Sequence, residues 1–333
     1  MRRKCVVTGG AGFIGSHLVD LLLQKGFEVH VIDNLRGGTL SNLNNHSRNP
    51  NFVFHKLDIL NLESDSEIFY KADYVFHLAG IGDIVPSIES PDLYFNVNVQ
   101  GTIKVLEASR FSEVKKFVYA ASSSCYGITE GSTREDAQIS PEHPYALSKY
   151  LGEQCAFHWQ LVYGLSVNSI CIFNAYGLRV KTTGSYGAVF GVFMKQKLEG
   201  KPLTIVGDGK QARDFVYVTD VARAFLMAAQ ADVSGERFNV GAGSPQSINK
   251  LVDLIKGEKI YIPKRPGEPN ITHADISKIH HMLGWLPEVS FEDGVDIMLD
   301  NLEDWATAPL WDPVKIQDAT KTWFKFMTKR VEL

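Results

Sequence analysis

The sequence contains no apolar run long enough to cross a membrane and no large excess of charge of either sign. Its 333 residues include 34 lysines and arginines against 38 aspartates and glutamates, which gives a net charge of −4 at neutral pH. A membrane-spanning helix needs about 18 or more consecutive apolar residues, and a nucleic-acid-binding surface needs an excess of basic residues. The composition therefore predicts neither a membrane nor a nucleic acid as a partner.

Cysteine is also scarce, and its spacing excludes two common kinds of cross-linked scaffold. The four cysteines, at positions 5, 125, 155 and 171, form no Cys-x-x-Cys pair and no Cys/His ligand pattern. Neither a zinc site nor a disulfide framework is predicted, and no metal is expected. Free thiols are typical of a reducing compartment, so the sequence predicts a cytoplasmic protein.

The first half of the chain alternates short apolar runs with segments of helical periodicity. This alternation predicts an α/β fold in which helices cover both faces of a doubly wound, parallel Rossmann sheet. No internal repeat or low-complexity segment is visible. The apolar runs are residues 5–8, 29–33, 52–55, 74–78, 117–121 and 166–173.

The alternation weakens after about residue 175, where glycine and proline become frequent. We interpret residues 1–175 as a Rossmann domain and residues 176–333 as a smaller, interleaved C-terminal α/β lobe. The segment at about 213–243 is predicted to return to the first domain. Residues 309–333 have the spacing of a terminal helix, which is expected to pack on the core.

A glycine-rich loop follows the first predicted strand and opens a helix. Gly9, Gly12 and Gly15 have the spacing G-x-x-G-x-x-G, and Phe13 and Ile14 lie between the last two. Such glycines permit a tight turn and let backbone N–H groups at a helix N-terminus approach a pyrophosphate. The loop therefore predicts dinucleotide binding, and a glycine-rich turn beside a solvated acid is the alternative.

The second predicted strand ends in Asp33-Asn34. A carboxylate there can bind both ribose hydroxyls of an adenosine and repels a 2′-phosphate, which favours NAD over NADP. Arg36 lies close to this carboxylate in sequence, so NADP stays an alternative cofactor. Further cofactor contacts are expected at the ends of the third and fourth strands and on the next helix, at Asp58, Ile59, Leu78, Ala79, Gly80 and Asn98.

Tyr145 and Lys149 lie four residues apart in a predicted helix that begins near Pro144. They therefore share one helix face. A tyrosine with an ordinary pKa near 10 is a weak base at neutral pH, but a nearby ammonium group and an oxidised nicotinamide both favour its phenolate and lower that pKa. A surface Tyr/Lys pair is the alternative for these residues alone.

Together these motifs resemble those of the extended short-chain dehydrogenase/reductase family, whose members act mostly on nucleotide sugars. The resemblance covers nearly the whole chain, and the ordered combination of motifs is specific. It rests on TGGAGFIGSH at 8–17, DN at 33–34, DI at 58–59, HLAG at 77–80, SSSCYG at 122–127, YALSK at 145–149, FNAYG at 173–177, RDFVYVTDVA at 213–222, NVGAG at 239–243, KRPGEP at 264–269 and LGWLP at 283–287.

The resemblance implies an NAD-dependent enzyme whose second lobe binds a nucleotide sugar. Tyr145 is expected to be the base, Lys149 to orient the nicotinamide ribose and tune Tyr145, and Ser122 to bind the sugar 4-hydroxyl. Two arginines facing a pyrophosphate suit it as planar, charge-assisted donors. The expected substrate contacts are Ser122, Ser123, Tyr145, Asn174, Ala188, Val189, Arg213, Arg265 and Glu268.

Ser123 and Ser124 bear on which reaction the family resemblance implies. Related 4,6-dehydratases carry Asp-Glu at these positions, and related decarboxylases carry a glutamate. A serine hydroxyl cannot replace a carboxylate base at neutral pH. The serines therefore favour a 4-epimerase, which oxidises C4, lets the keto sugar rotate and reduces it on the other face.

Thr272 bears on the sugar, because a small residue four positions after the acid of R-x-G-[DE] admits N-acetylated sugars in this family. The resemblance implies UDP-GlcNAc and UDP-GalNAc as substrates, with UDP-glucose and UDP-galactose as weaker ones. The alternatives are a 4,6-dehydratase, a uronate 4-epimerase or a reductase of the same fold, and a non-catalytic nucleotide-binding protein. A homodimer is also expected from the family, through helices at 97–109 and 150–163.

Overall fold

The computed structural model describes residues 3–180 and 189–328 of the chain. The described strands form one large sheet and three small ones. In chain order they are β1 (Lys4–Thr8), β2 (Glu28–Asp33), β3 (Phe52–Lys56), β4 (Tyr74–His77), β5 (Lys116–Ser122), β6 (Val167–Ile172), β7 (Asn174–Tyr176), β8 (Leu203–Val206), β9 (Ala212–Arg213), β10 (Phe215–Tyr217), β11 (Glu236–Val240), β12 (Gln246–Ser247) and β13 (Lys259–Ile262).

The large sheet has seven strands in the order β11-β6-β5-β4-β1-β2-β3, and every neighbouring pair is parallel. The chain proceeds outward through β2 and β3 on one side of β1 and through β4, β5 and β6 on the other. The order therefore reverses between β1 and β4, and the crevice at such a switch point is where doubly wound sheets bind ligands. The predicted α/β Rossmann fold is confirmed.

Helices and short helical turns connect these strands. None of the helices in the described ranges is long and apolar enough to cross a membrane. They are α1 (Phe13–Gln24), α2 (Ile84–Glu89), α3 (Pro91–Phe95), α4 (Gly101–Phe111), α5 (Pro144–Tyr163), α6 (Val189–Leu198), α7 (Val218–Gln230), α8 (Ile248–Ile255), α9 (Ser277–Leu283), α10 (Phe291–Asp300) and α11 (Pro313–Met327).

Both faces of the large sheet are covered by helices, which explains why its central strands are apolar without interruption. Every residue of β4, β5 and β6 is buried, whereas the edge strand β3 is only partly buried. Leu18 of α1 and Phe225 of α7 belong to the core on one face. Leu106 of α4 and Ala156 of α5 belong to the core on the other.

The second lobe is built on an aromatic core beneath α6, α8 and α10. The rings of Tyr176 and Phe190 stack with their centroids 4.5 Å apart, and those of Phe215 and Phe291 stack at 5.4 Å. Three two-stranded sheets complete it, namely β7 with β10, β8 with β13, and β9 with β12.

After the second lobe begins, the chain returns to the large sheet, where β11 is an edge strand and α7 covers one face. Phe238 of β11 pairs with Ile170 of β6, and α7 packs beside α1. Both elements fall within the segment, about 213–243, for which a return to the first domain was expected. The exact boundary near residue 175 stays a prediction.

The terminal helix α11 packs against α2. Its buried residues Trp323 and Met327 contact Val85 of α2 and form a small separate cluster with it. Phe326, on its other side, is half exposed. The apolar stripe of α11 is narrow, so a small partner surface is enough to cover it, and α2 provides that surface.

Candidate active site

Two cavities meet at the carboxyl ends of the central strands. One, of about 450 Å³, follows the ends of β1, β2 and β4, and we call it the sheet cavity. The other, of about 590 Å³, lies between the large sheet and the second lobe, and we call it the interlobe cavity. Tyr145, Asp83 and Ile172 line both cavities, so the two spaces join beside Tyr145.

The glycine loop forms the inner wall of the sheet cavity. Gly9 has a φ of +71°, and a Cβ atom there would lie 2.6 Å from the backbone nitrogen of Ala79. A Cβ atom on Gly15 would overlap the carbonyl oxygen of Gly9. Helix α1 begins at Phe13 without a side-chain cap, which leaves its first N–H groups open to a phosphate.

Asp33 is held firmly at the end of β2. Its carboxylate accepts hydrogen bonds from the N–H groups of Ala11 (3.0 Å) and Leu35 (2.8 Å). Burial raises the pKa of Asp33, and these two bonds oppose that shift. Beside it, Asp58 accepts a 2.7 Å bond from the side-chain amide of Asn34. The arrangement places two carboxylates where ribose and adenine groups of a dinucleotide would lie.

All but one of the residues predicted to bind the cofactor line the sheet cavity. The exception is Asn98, which is 1% exposed. Its amide oxygen accepts from the N–H of Ile81 (2.8 Å), and its amide nitrogen donates to Ile81 O (3.1 Å) and Ser148 Oγ (2.9 Å). The residues that line the cavity are Gly9, Gly12, Phe13, Ile14, Gly15, Asp33, Asn34, Asp58, Ile59, Leu78, Ala79, Gly80, Tyr145 and Lys149.

The predicted role of Asn98 in cofactor binding stays a prediction, and its position suggests an indirect contribution. The buried amide uses its hydrogen-bonding groups on the loop after Gly80, since a buried amide must find partners. A Cβ atom on Gly80 would lie 2.9 Å from the Asn98 amide oxygen. Asn98 therefore supports the cofactor loop from behind and does not itself line the cavity.

A buried hydrogen-bond chain that the sequence analysis missed supports the same loop. The N–H of Ala79 donates to Thr8 Oγ1, whose hydroxyl donates to His77 Nδ1 at 2.7 Å. His77 Nε2 then donates to Thr102 Oγ1 (2.9 Å), which donates to the carbonyl oxygen of Asn98. Burial lowers the pKa of His77 to about 3, so the ring is neutral and its tautomer is fixed by its partners.

Tyr145 lies in the first turn of α5, where the helix start is fixed locally. Pro144 is in the first turn, and His143 caps the helix by accepting from the N–H of Ala146 at 3.2 Å. The His143 and Tyr145 rings stack nearly parallel with their centroids 5.8 Å apart. These contacts hold the phenol at the junction of the two cavities.

The pKa of Tyr145 in the protein without bound NAD is set mainly by burial. Burial raises it above the ordinary value, and the hydrogen bond with Ser122 lowers it without reversing that rise. The expectation of a lowered pKa concerns the site with oxidised NAD bound and stays a prediction; in the protein alone, desolvation disfavours the phenolate. The positive charges of Lys149 and of an oxidised nicotinamide are the groups expected to lower it.

Lys149 lies one turn after Tyr145 and is buried beneath the loop at Gly80. Its Nζ is 4.4 Å from the ring centroid of Tyr119. Burial lowers the pKa of Lys149 to about 8, although Glu153 on the next turn favours the charged form. The ammonium group is therefore mostly retained at neutral pH and is lost just above it.

The second lobe contributes a bridged pair of arginines to the interlobe cavity. Glu268 accepts from Arg213 at 2.8 Å and from Arg265 at 3.0 and 3.2 Å. The two guanidinium groups are therefore held close together, a geometry that suits a diphosphate. Of the other predicted substrate contacts, Ser122, Ser123, Asn174 and Val189 line the same cavity, and Ala188 lies outside the described residues.

The interlobe cavity also contains acids that the sequence analysis missed. Asp83 and Glu142 line it, together with Ser124 and Trp323. Asp83 follows HLAG and Glu142 immediately precedes the His-Pro-Tyr start of α5, so both adjoin motifs already recognised. Their closeness in sequence to those motifs was a signal that could have identified them.

The comparisons with known proteins agree with this geometry. A model of the NAD-dependent epimerase/dehydratase family matches residues 5–241. The chain belongs to this family. UDP-glucose 4-epimerase from Mycolicibacterium smegmatis is 35% identical over 301 residues, covering 88% of this chain and 96% of that protein.

Two solved structures of family members superpose closely on the chain. UDP-N-acetylglucosamine 4-epimerase from Methanobrevibacter ruminantium, in complex with UDP-N-acetylmuramic acid, has a TM-score of 0.84 at 32% identity, covering 90% of this chain and all of that one. UDP-glucuronic acid 4-epimerase from Bacillus cereus, in complex with UDP-glucuronic acid and NAD, has a TM-score of 0.84 at 33% identity, covering 90% and 99%.

NAD is the cofactor, and the residues of the sheet cavity fit it. The glycine loop has no space for side chains at Gly9 and Gly15, and Asp33 offers a fixed carboxylate to the adenosine ribose. NAD supplies reversible hydride transfer when it is bound there. Leu78, Ala79 and Gly80 would border the nicotinamide end, next to Tyr145 and Lys149.

Proposed function

We propose that the protein is a 4-epimerase of UDP-hexoses, acting on UDP-GlcNAc and UDP-GalNAc and more weakly on UDP-glucose and UDP-galactose through a 4-keto intermediate. The observation that carries this proposal is the position of Tyr145. It lies at the junction of the sheet and interlobe cavities and is hydrogen-bonded to Ser122. A sugar C4 beside Tyr145 is then next to both the cofactor and a base.

The chain's own residues account for the proton movements of such a reaction. Ser122 holds the 4-hydroxyl, and Tyr145 takes its proton as C4 is oxidised and returns it as C4 is reduced. Lys149, one helical turn after Tyr145, supplies positive charge at the same site, which favours the phenolate. Because both proton transfers use one residue, the same site serves either face of the sugar.

The two ends of the interlobe cavity suit a keto-sugar intermediate that must rotate before it is reduced. Arg213 and Arg265, bridged by Glu268, would hold the diphosphate at one end. The sugar end is bordered by Ser122, Ser123 and Ser124, which are small. Firm binding of the diphosphate combined with loose contacts to the sugar permits rotation about the pyrophosphate.

Asp83 supports a neutral sugar in preference to a uronate. It lines both cavities at Tyr145 and raises the pKa of Tyr145 electrostatically, after burial as the larger cause. A carboxylate so close to the expected position of the sugar would repel the carboxylate of a uronate. A hexose or N-acetylhexosamine has no such charge.

Asp83 and Glu142 together support a second candidate function, that of a nucleotide-sugar 4,6-dehydratase. Loss of water across C5 and C6 needs an acid and a base, and Asp83 and Glu142 both line the interlobe cavity. The positions that carry Asp-Glu in related dehydratases are Ser123 and Ser124 here. For that reason we place the epimerase first.

A panel of UDP-, GDP- and dTDP-sugars separates these candidates. We expect UDP-GlcNAc to give a product of the same mass in which the configuration at C4 is inverted. Mass spectrometry measures the mass, and the couplings of the C4 proton in the NMR spectrum report the configuration. Loss of water would indicate the dehydratase, and loss of carbon dioxide a decarboxylase. Turnover of UDP-glucuronate with UDP-GlcNAc unchanged would show that the substrate assignment is wrong.

Thr272 gives a prediction about the N-acetyl group. It lines the interlobe cavity and donates a 2.8 Å hydrogen bond to Asn174. Thr272→Tyr should lower kcat/KM for UDP-GlcNAc at least about tenfold relative to UDP-glucose, because the ring fills space beside the sugar. Thr272→Val, which loses only the hydroxyl, should leave that ratio within about twofold. An equal loss for both sugars in the tyrosine variant would argue against a specificity role.

The pKa of Lys149 gives a prediction about pH dependence. Because that pKa is lowered to about 8, its ammonium form is lost as the pH rises through 8. We expect kcat/KM to fall above about pH 8 in the wild type. Lys149→Arg should be less active but should lack this fall, since arginine keeps its charge. Profiles of both proteins between pH 6 and 10 test this, and a wild-type rate that keeps rising to pH 10 contradicts it.

The expected homodimer and the cytoplasmic location stay predictions. Leu151 and Leu161 of α5 are 36% and 81% exposed, and they lie in one of the two segments expected to form the dimer. Light scattering of the purified protein measures the oligomeric state directly.

A further inference from the structure

Helix α11 spans the outer edge of the interlobe cavity and contacts both of its sides. On one side, Trp323 and Met327 pack against Val85 of α2, and Thr322 donates a 2.8 Å hydrogen bond to Glu89 at the end of α2. Helix α2 follows β4 and begins next to Asp83, so this side belongs to the cofactor-binding half of the molecule.

On the other side, the same helix holds the loop that carries Arg265. The indole nitrogen of Trp323 donates to the carbonyl oxygen of Pro266 at 2.6 Å, and the Arg265 guanidinium carbon lies 5.7 Å from the Trp323 ring centroid. A Cβ atom on Gly267 would come within 3.2 Å of the Met327 side chain. Three successive residues of the loop therefore touch α11.

Trp323 is the member of α11 that reaches the cavity. It is 6% exposed and lines the interlobe cavity together with Arg265 and Glu268. A guanidinium within about 6 Å of an aromatic ring centroid is attracted to it, and a buried indole N–H fixes the carbonyl that it binds. Both contacts restrain the loop on which Arg265 lies.

We propose that α11 is a clasp that joins the cofactor-binding half to the Arg265 loop, and that Trp323 is a positioning residue that aims Arg265 at the substrate diphosphate. This inference rests on the proposed function, because it needs a nucleoside diphosphate as ligand. Trp323 acts through Arg265: it presets the guanidinium and so reduces the freedom that binding must remove.

The test is diphosphate binding by the full-length protein with NAD bound, measured by isothermal titration calorimetry. Trp323→Ala should raise the Kd for UDP about tenfold and leave the Kd for uridine within about twofold. Trp323→Phe, which keeps a ring but loses the N–H, should raise the Kd for UDP about threefold. Phe326→Ala removes an exposed aromatic residue from the same helix and should change neither Kd by more than about twofold.

A double-mutant cycle separates positioning from a general structural role. In an Arg265→Ala background, Trp323→Ala should change the Kd for UDP by less than about twofold, because the residue it acts through is gone. A full tenfold effect in that background, or equal weakening of UDP and uridine in the single variant, overturns the proposal. If Trp323→Ala does not fold, the cycle is run with Trp323→Phe, whose threefold effect must vanish in the same way.

The outcomes also distinguish this inference from the proposed function. Wild-type protein that binds UDP, with both Trp323 variants binding it equally well, overturns the clasp alone. Wild-type protein that binds none of UDP, GDP or dTDP overturns the proposed function and the clasp together.

Discussion

Replacing Tyr145 by phenylalanine should reduce kcat by a factor on the order of 10²–10⁴, the range typical of losing a positioned general acid–base group. The phenol is partly buried at the junction of the two cavities, and its hydroxyl has Ser122 as a partner. The ring itself stays packed on His143, so the protein should fold and bind ligand normally. Steady-state kinetics, together with calorimetric Kd values for NAD and UDP, check both parts.

Tyr163→Phe is the matched control, because Tyr163 ends the same helix and is half exposed. We expect its kcat to remain within about twofold of the wild type. A Tyr145→Phe variant that retains more than about a tenth of the wild-type kcat would exclude Tyr145 as the base.

Glu153→Ala should destabilise the protein by about 3–5 kcal/mol, the usual cost of leaving one member of a buried ion pair without its partner. Glu153 is fully buried, pairs with Arg237 through both carboxylate oxygens, and accepts a 2.6 Å hydrogen bond from Ser169. Burial alone would lower the pKa of Arg237, but the charge of Glu153 and its hydrogen bonds raise that pKa overall. Urea unfolding followed by circular dichroism measures the loss.

Two controls show whether the cost comes from the unpaired charge. Removing both charges, in Glu153→Ala with Arg237→Met, should recover part of the lost stability because no charge is then left buried. Asp136→Ala breaks a pair with Arg134 in which both side chains are at least 70% exposed, and it should cost less than about 1 kcal/mol. If Glu153→Ala costs no more than Asp136→Ala, the buried pair does not stabilise the fold as described.

The large sheet could be predicted because its signals are local. Each central strand is a continuous apolar run that ends in a polar or small residue, as at Asp33 and Ser122, and the carboxyl ends of parallel strands share one edge of the sheet. The glycine loop and the Tyr145–Lys149 pair are also local, because each motif spans only a few residues. For these elements, the sequence specifies the geometry directly.

The remaining parts of the site depend on contacts between residues that are distant in the sequence. Trp323 lies 57 positions after Pro266, whose carbonyl oxygen it binds, and Asp83 reaches the same cavity from a different domain segment. The position of Asn98 behind its loop, and the direction of the Tyr145 pKa, follow from burial. Burial is a property of the packed molecule, so periodicity and motif spacing could not reveal it.

The most direct test of the account uses UDP-GlcNAc that carries deuterium at C4 of the sugar. We predict that the product UDP-GalNAc and the recovered substrate both retain the deuterium at C4, with none at other carbons and none exchanged with solvent. Proton and deuterium NMR of the equilibrated mixture measures this. Deuterium found at C6 in a dehydrated product, or exchange of the label into water, would contradict 4-epimerisation through reversible oxidation at C4.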